Sequence, residues 1–119
     1  MHRDRRILFA NPAAATLFGA PSAGAIIGRS IHDFVHPSFR EAVEARVLRN
    51  QEEGATTPLM EQRIIRLDGR AVSVETIGIP FTLDGKPSVL TILRDVDERK
   101  RLEEVFRHSQ RMDAVGQLA

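Results

Sequence analysis

The chain has no cysteine among its 119 residues. Disulfide frameworks, Cys-ligated zinc or iron–sulfur centres, thiol nucleophiles and thiol-linked flavins or chromophores are therefore excluded. Neither sign of charge dominates. Lys and Arg number 17 against 16 Asp and Glu, for a formal net charge of +1, which is too balanced for a domain that gathers phosphates by bulk electrostatics. Nucleic-acid binding is set aside as a main function on that ground. The basic start, Arg3, Arg5 and Arg6, lacks interleaved aromatics and reads as a solvated flank. No apolar run approaches the ~20 residues that cross a bilayer, and Ile7 to Ala10 is too short for the apolar region of a signal peptide. The expected address is the cytoplasm, with no direct membrane contact. There is no internal repeat and no low-complexity segment. One domain is expected at this length, and a composition that is 42% apolar can line its core.

What is present divides at about Pro58. Ile7-Leu8-Phe9-Ala10 reads as a short strand running into a helix over Pro12 to Phe18, with Asn11 as its cap and Pro12 as its first residue. Gly19 and Pro21 stop that helix. A small-residue loop, Ser22 to Gly28, leads to Ser30, which caps a helical turn over Ile31 to Val35. From Phe39 the apolar positions Ala42, Val43, Val47 and Leu48 fall near a 3.6-residue period, predicting the globule's longest helix, ended by Gly54. Beyond Pro58 the pattern becomes strand-like, and Asp68-Gly69 and Asp84-Gly85 are hairpin signals because Gly accepts positive φ without steric cost. A three-stranded antiparallel meander is predicted. From Asp97 onward there is no Pro and no strand character. Leu102, Val105, Phe106, Met112 and Val115 form an apolar helical stripe, read as the core of a short two-chain coiled coil and hence of a homodimer.

Few residues here carry chemistry by themselves. His32 and His36 stand four apart, a spacing that can set two imidazoles on one helical face for a metal. No third ligand lies nearby and His36 precedes Pro37, so both read as helix-end histidines and no metal site is assigned. The carboxylates fall at turns or on a charged helix, no nucleophile turn is recognisable, and no glycine cluster forms a phosphate loop. No catalytic residue is assigned, and this chain is not expected to be an enzyme. Asp95-Val96-Asp97 is more informative. It falls where the last strand hands over to the terminal helix, where an Asp can accept backbone N–H groups and fix the exit angle.

These pieces together resemble a known family. Phe9-Ala10-Asn11-Pro12-Ala13-Ala14, Leu17-Phe18-Gly19, Ile27-Gly28-Arg29-Ser30 and the closing Arg94-Asp95-Val96-Asp97-Glu98-Arg99-Lys100 are similar to a PAS sensor domain over residues 7 to about 100. The family's exit motif is typically Asp, a branched aliphatic, Thr, then Glu-Arg; here Asp97 replaces the Thr. The run Ser109-Gln110-Arg111-Met112-Asp113-Ala114-Val115-Gly116-Gln117-Leu118-Ala119 resembles the segment just before the phosphoacceptor histidine of sensor histidine kinases, especially hybrid ones. None of this chain's own histidines is given that role.

The resemblance implies an α+β fold: a PAS-like antiparallel sheet with short helices on one face and a C-terminal signalling helix. Residues 1–97 would be the sensor and 98–119 a coiled-coil linker into a histidine kinase core of the same parent chain. It also implies a small apolar ligand pocket, for which Phe18, Ile27, Phe34, Val43, Ile79 and Leu93 are the expected lining, with relay through Asp95, Val96 and Asp97. The implied function is a non-catalytic sensing and dimerisation module of a two-component system, taking a small-molecule ligand, with no cofactor specified. The family's first strand precedes the Ile7 strand, and nothing apolar lies there, so that strand is expected to be missing or truncated. Two rival readings stand beside this one: a haem- or other cofactor-based gas or redox sensor using His32 or His36, and a ligand-free pairing module.

Overall fold

The computed structural model describes the backbone of residues 1–118, and the side chains of these except Glu98 and residues 112–118. Met112 and Val115 of the expected coiled-coil stripe therefore lie outside the described side chains. Five antiparallel strands form one sheet: β1 (His2–Arg3), β2 (Arg6–Ile7), β3 (Thr57–Ile65), β4 (Ala71–Leu83) and β5 (Lys86–Asp95), in the order β2-β1-β5-β4-β3. The predicted meander is β3 to β5. Its first turn has Gly69 at φ 86° and its second has Asp84 at 52° and Gly85 at 73°, the positive values that the two Asp-Gly pairs foretell.

The first strand, expected to be missing or truncated, is not missing. β1 is present, two residues long, and joins the sheet through His2 opposite Val89. It escapes a hydrophobic-pattern reading because His2 and Arg3 are polar and its turn, Asp4 and Arg5, has positive φ at two non-glycine residues, 50° and 65°. A two-residue turn with both φ positive matches the strand twist, and here tertiary bonds hold it. Asp4 N–H donates to Gln51 Oε1 at 2.9 Å, and Gln51 Nε2 donates back to Asp4 Oδ1 at 2.6 Å. Arg5 makes a two-pronged bond to Glu44, 3.1 and 2.8 Å.

Three helices and three short 3₁₀ turns complete the chain: α1 (Pro12–Leu17), α2 (Arg40–Gln51) and α3 (Asp97–Leu118), with turns at Ala23–Ala25, Ile31–Phe34 and Pro37–Phe39. α1 begins as its sequence demands, Asn11 Oδ1 accepting from Ala14 N–H at 2.8 Å. Ser30 does the same for His32 N–H at 3.2 Å. α1, α2 and the 3₁₀ turns pack on one face of the sheet. Ile7, Ile26 and Phe34 form one buried cluster, Val35, Val43 and Val47 a second, and Ile64, Val72 and Val74 a third. Phe18 joins the first to the third and Ile31 the first to the second.

α2 crosses β4 at a glycine. Asn50 Nδ2 donates to the carbonyls of Gly78 and Ala55 at 3.1 and 2.8 Å, and Gly78 N–H donates to Thr57 Oγ1 at 3.2 Å. A Cβ on Gly78 would stand 2.9 Å from both Asn50 Cγ and Thr57 Oγ1, closer than packed atoms tolerate. Gly78→Ala should therefore lower unfolding stability by about 1–3 kcal/mol; an unchanged urea midpoint would show that α2 is free to retreat.

Candidate functional site

Between the helices and the concave face of the sheet lies a cavity of about 190 Å³. Four of the six residues expected to line it do so: Phe18, Phe34, Val43 and Leu93. Phe18 and Phe34 meet with ring centroids 4.7 Å apart. The other two are each displaced by one residue. Ile26 is fully buried and lines the cavity, whereas Ile27 is 46% exposed and does not. On β4 the lining residues are Thr76 and Gly78; Ile79 alternates with Gly78 and so lies on the opposite face of the sheet.

The polar part of the lining carries no apolar signature and was not legible in the sequence. It includes His2, Arg46, Asn50, Gln62 and Thr76. His2 is buried, and its Nδ1 has no hydrogen-bond partner among the described residues. Burial first, then the positive charges of the Met1 amino group, Arg5 and His32, pull its pKa down to about 4, so the imidazole is neutral at pH 7. Gln62 is also buried and its Oε1 is likewise unpartnered. Arg46 reaches across from α2, its Nη2 donating to the carbonyls of Pro58 and Thr76 at 2.7 and 3.2 Å.

The two histidines four apart do not converge. His32 Nε2 bonds Glu44 Oε1, and His36 Nδ1 accepts from Ser38 N–H at 3.2 Å. Neither lines the cavity, which is also far too small for a tetrapyrrole, so the haem reading through these residues does not fit the site. Among the described residues no group of three His, Asp or Glu is placed to hold a metal. Glu44 sits between Arg5 and His32; the hydrogen bond from Arg5 above all lowers its pKa to about 2.

The exit from the sheet is built on three consecutive residues. Val96 is buried and its N–H donates to Ser73 O at 3.0 Å. Asp97 Oδ1 accepts from Ser73 N–H at 3.1 Å, and Asp95 Oδ1 accepts from Asp97 N–H at 2.9 Å. The first turn of α3 is thus fastened to β4 through the backbone N–H and C=O of Ser73. Glu75 on β4 adds a second tie, pairing with Arg99 of α3 and Arg94 of β5, each at 2.7 Å. Beyond it, Leu102, Val105 and Phe106 are about 60% exposed (60, 60 and 62%). No helix among the described residues is long and apolar enough to cross a membrane.

Comparison with known proteins agrees with this fold. A family model described as PAS domain matches residues 2–98. The chain is 33% identical over 112 residues to Sporulation kinase A of Bacillus subtilis, covering 94% of this chain and 18% of that protein. It is 28% identical over 109 residues to Sensor protein kinase FleS of Pseudomonas aeruginosa, covering 92% and 21%. The chain thus spans about a fifth of the length of these curated relatives. A crystal structure of a PAS domain from Colwellia psychrerythraea superposes with a TM-score of 0.70 at 22% identity, covering 82% of each chain.

Two groups with shifted titration, His2 and Glu44, make the fold acid-sensitive in two windows. His2 titrates at 6.5 unfolded and about 4 folded, so the unfolded chain takes up a proton that the folded chain refuses, and stability falls as pH drops from 6.5 to 4. Glu44, depressed from 4.5 to about 2, adds a loss from about pH 5 downward. His2→Asn should flatten the first window, removing an effect on the order of 2 kcal/mol, and Glu44→Gln the second. Urea midpoints at pH 7, 5 and 3 test this; parallel pH profiles for wild type and His2→Asn would overturn the assignment.

Proposed function

The chain belongs to the PAS domain family, and from that premise we propose that it is the cytoplasmic input module of a sensor histidine kinase. Residues 1–97 sense, and residues 98–119 lead into a kinase core of the same parent chain that performs phosphoryl transfer. The chain itself is non-catalytic. The observation that carries this reading is the continuity of β5: Leu93 lines the cavity, and two residues later the strand enters the Asp95-Val96-Asp97 fastening to Ser73. A ligand acts on such a module only through different affinities for two arrangements of the helix. A molecule pressing on Leu93 bears on the strand that sets the exit of α3.

Pairing of two chains would run along α3. The exposure of Leu102, Val105 and Phe106 supports this, since a helix with an apolar stripe in water is stabilised by a partner. The same exposure favours a second reading, in which the module pairs kinase chains without any ligand.

Two outcomes are expected. Asp97→Ala removes the bond to Ser73 at a stability cost of about 1 kcal/mol and changes the autophosphorylation rate of the parent kinase; a rate equal to wild type would remove the relay role. Val105→Glu combined with Met112→Glu shifts the protein toward monomer in light scattering, and an unchanged mass would sink pairing through α3.

A further inference from the structure

Arg46 stands in an unbalanced position. It is half-buried on α2 and lines the cavity, yet no carboxylate lies within ion-pair distance of it among the described residues. Burial, and after it the charge of Arg49, lower its pKa from the usual guanidinium value, and no acidic group offsets them. Nη2 is satisfied by two backbone carbonyls; Nε and Nη1 donate to nothing among the described residues. A half-buried cation with free donors, lining a cavity, offers a charged hydrogen-bonding partner to an anion.

Gln62 supplies the second constraint. Its Oε1 is buried and accepts from nothing, and the residue is 7% exposed. It lies on the same face of β3 as Met60, which pairs with Thr76. Thr76 O is one of the two carbonyls that hold Arg46 Nη2. Diagonal neighbours of this kind are ~7–8 Å apart, so the guanidinium and the amide are within reach of one small molecule. No Asp or Glu is among the lining residues and His2 is neutral, so a ligand ammonium would be left unpaired. A volume of about 190 Å³ holds roughly six water-sized groups at ~30 Å³ each.

We infer that the cavity takes a small hydroxycarboxylate of about three to five carbons. Its carboxylate lies on Arg46, its hydroxyl donates to Gln62 Oε1, and its alkyl part lies against the apolar lining around Phe18 and Phe34. This rests on the sensing reading and names the ligand class for it. Water could satisfy Gln62, but only an anion pairs with the Arg46 charge.

The test is calorimetric titration of the 119-residue chain with 3-hydroxybutyrate, butyrate, butane-1,3-diol and inorganic phosphate. Saturable binding of 3-hydroxybutyrate is expected, with butyrate and the diol each weaker by about tenfold or more, since each lacks one of the two polar groups. Arg46→Gln should weaken the acid by roughly 10- to 100-fold and leave the diol unchanged. Gln62→Leu should bring 3-hydroxybutyrate down to the affinity of butyrate, and it tests the assignment even where Arg46→Gln does not fold. Equal binding of diol and acid, displacement of the acid by phosphate at equal concentration, acid affinity unaltered in both variants, or no binding at all would each overturn the ligand class. The sensing reading is judged separately by the Asp97→Ala autophosphorylation rate, which involves none of these compounds, so the two failures are distinguishable.

Discussion

The close approach of Asn50 to Gly78 sets the distance at which α2 crosses the sheet, and much else follows from that distance. A glycine at position 78 lets the amide reach both the β4 carbonyl and the carbonyl of Ala55, so the helix is pinned at its C-terminal end. Positions 43, 46, 47 and 50 then recur as i, i+3, i+4 and i+7 and all line the cavity. One face of one helix contributes two apolar walls, a cation and an amide. A bulkier residue at 78 would lift this face as a unit. The cavity is therefore a consequence of a backbone contact as much as of the apolar side chains around it.

The same helix stabilises the sheet edge. Glu44 and Gln51 are seven apart on α2, two turns along one side, and each holds one residue of the β1–β2 turn. Two successive non-glycine residues with positive φ are costly, and their tolerance here depends on those bonds. Glu44 also engages His32, which ties the 3₁₀ turn over the cavity to the same point. Breaking Glu44 would loosen the hairpin and the cavity roof together, although the pair with Arg5 is partly exposed and each bond is modest by itself.

Local signals were legible where the physics is local. Asn11-Pro12, Ser30, and the two Asp-Gly pairs act over three or four residues, and the elements they predict are present. The apolar lining was legible in part, because period alone locates a face to within one residue: Ile26 and not Ile27, Gly78 and not Ile79. β1 was not legible, since two polar residues acquire strand pairing only through contacts with α2 and β5 that are distant in sequence. The polar lining was missed for a related reason. Arg46 and Gln62 look like ordinary surface residues in a charged helix and an alternating strand, and only the assembled sheet brings them to one cavity.

The replacement of Thr by Asp at position 97 alters the fastening without dissolving it. A threonine hydroxyl can donate and accept, whereas a carboxylate only accepts, and Asp97 accepts from Ser73 N–H. Being charged, it makes a stronger bond than a hydroxyl would and places negative charge in the first turn of α3, where the helix dipole favours it. Asp95 accepts from the Asp97 N–H, so the two carboxylates divide the work, one bonding the helix's first N–H and one bonding the sheet. Arg99, one turn on, binds Glu75 of β4 and draws the helix toward the same strand. The start of α3 is thereby held by β4, through Ser73 and Glu75, as well as by its covalent continuation from β5.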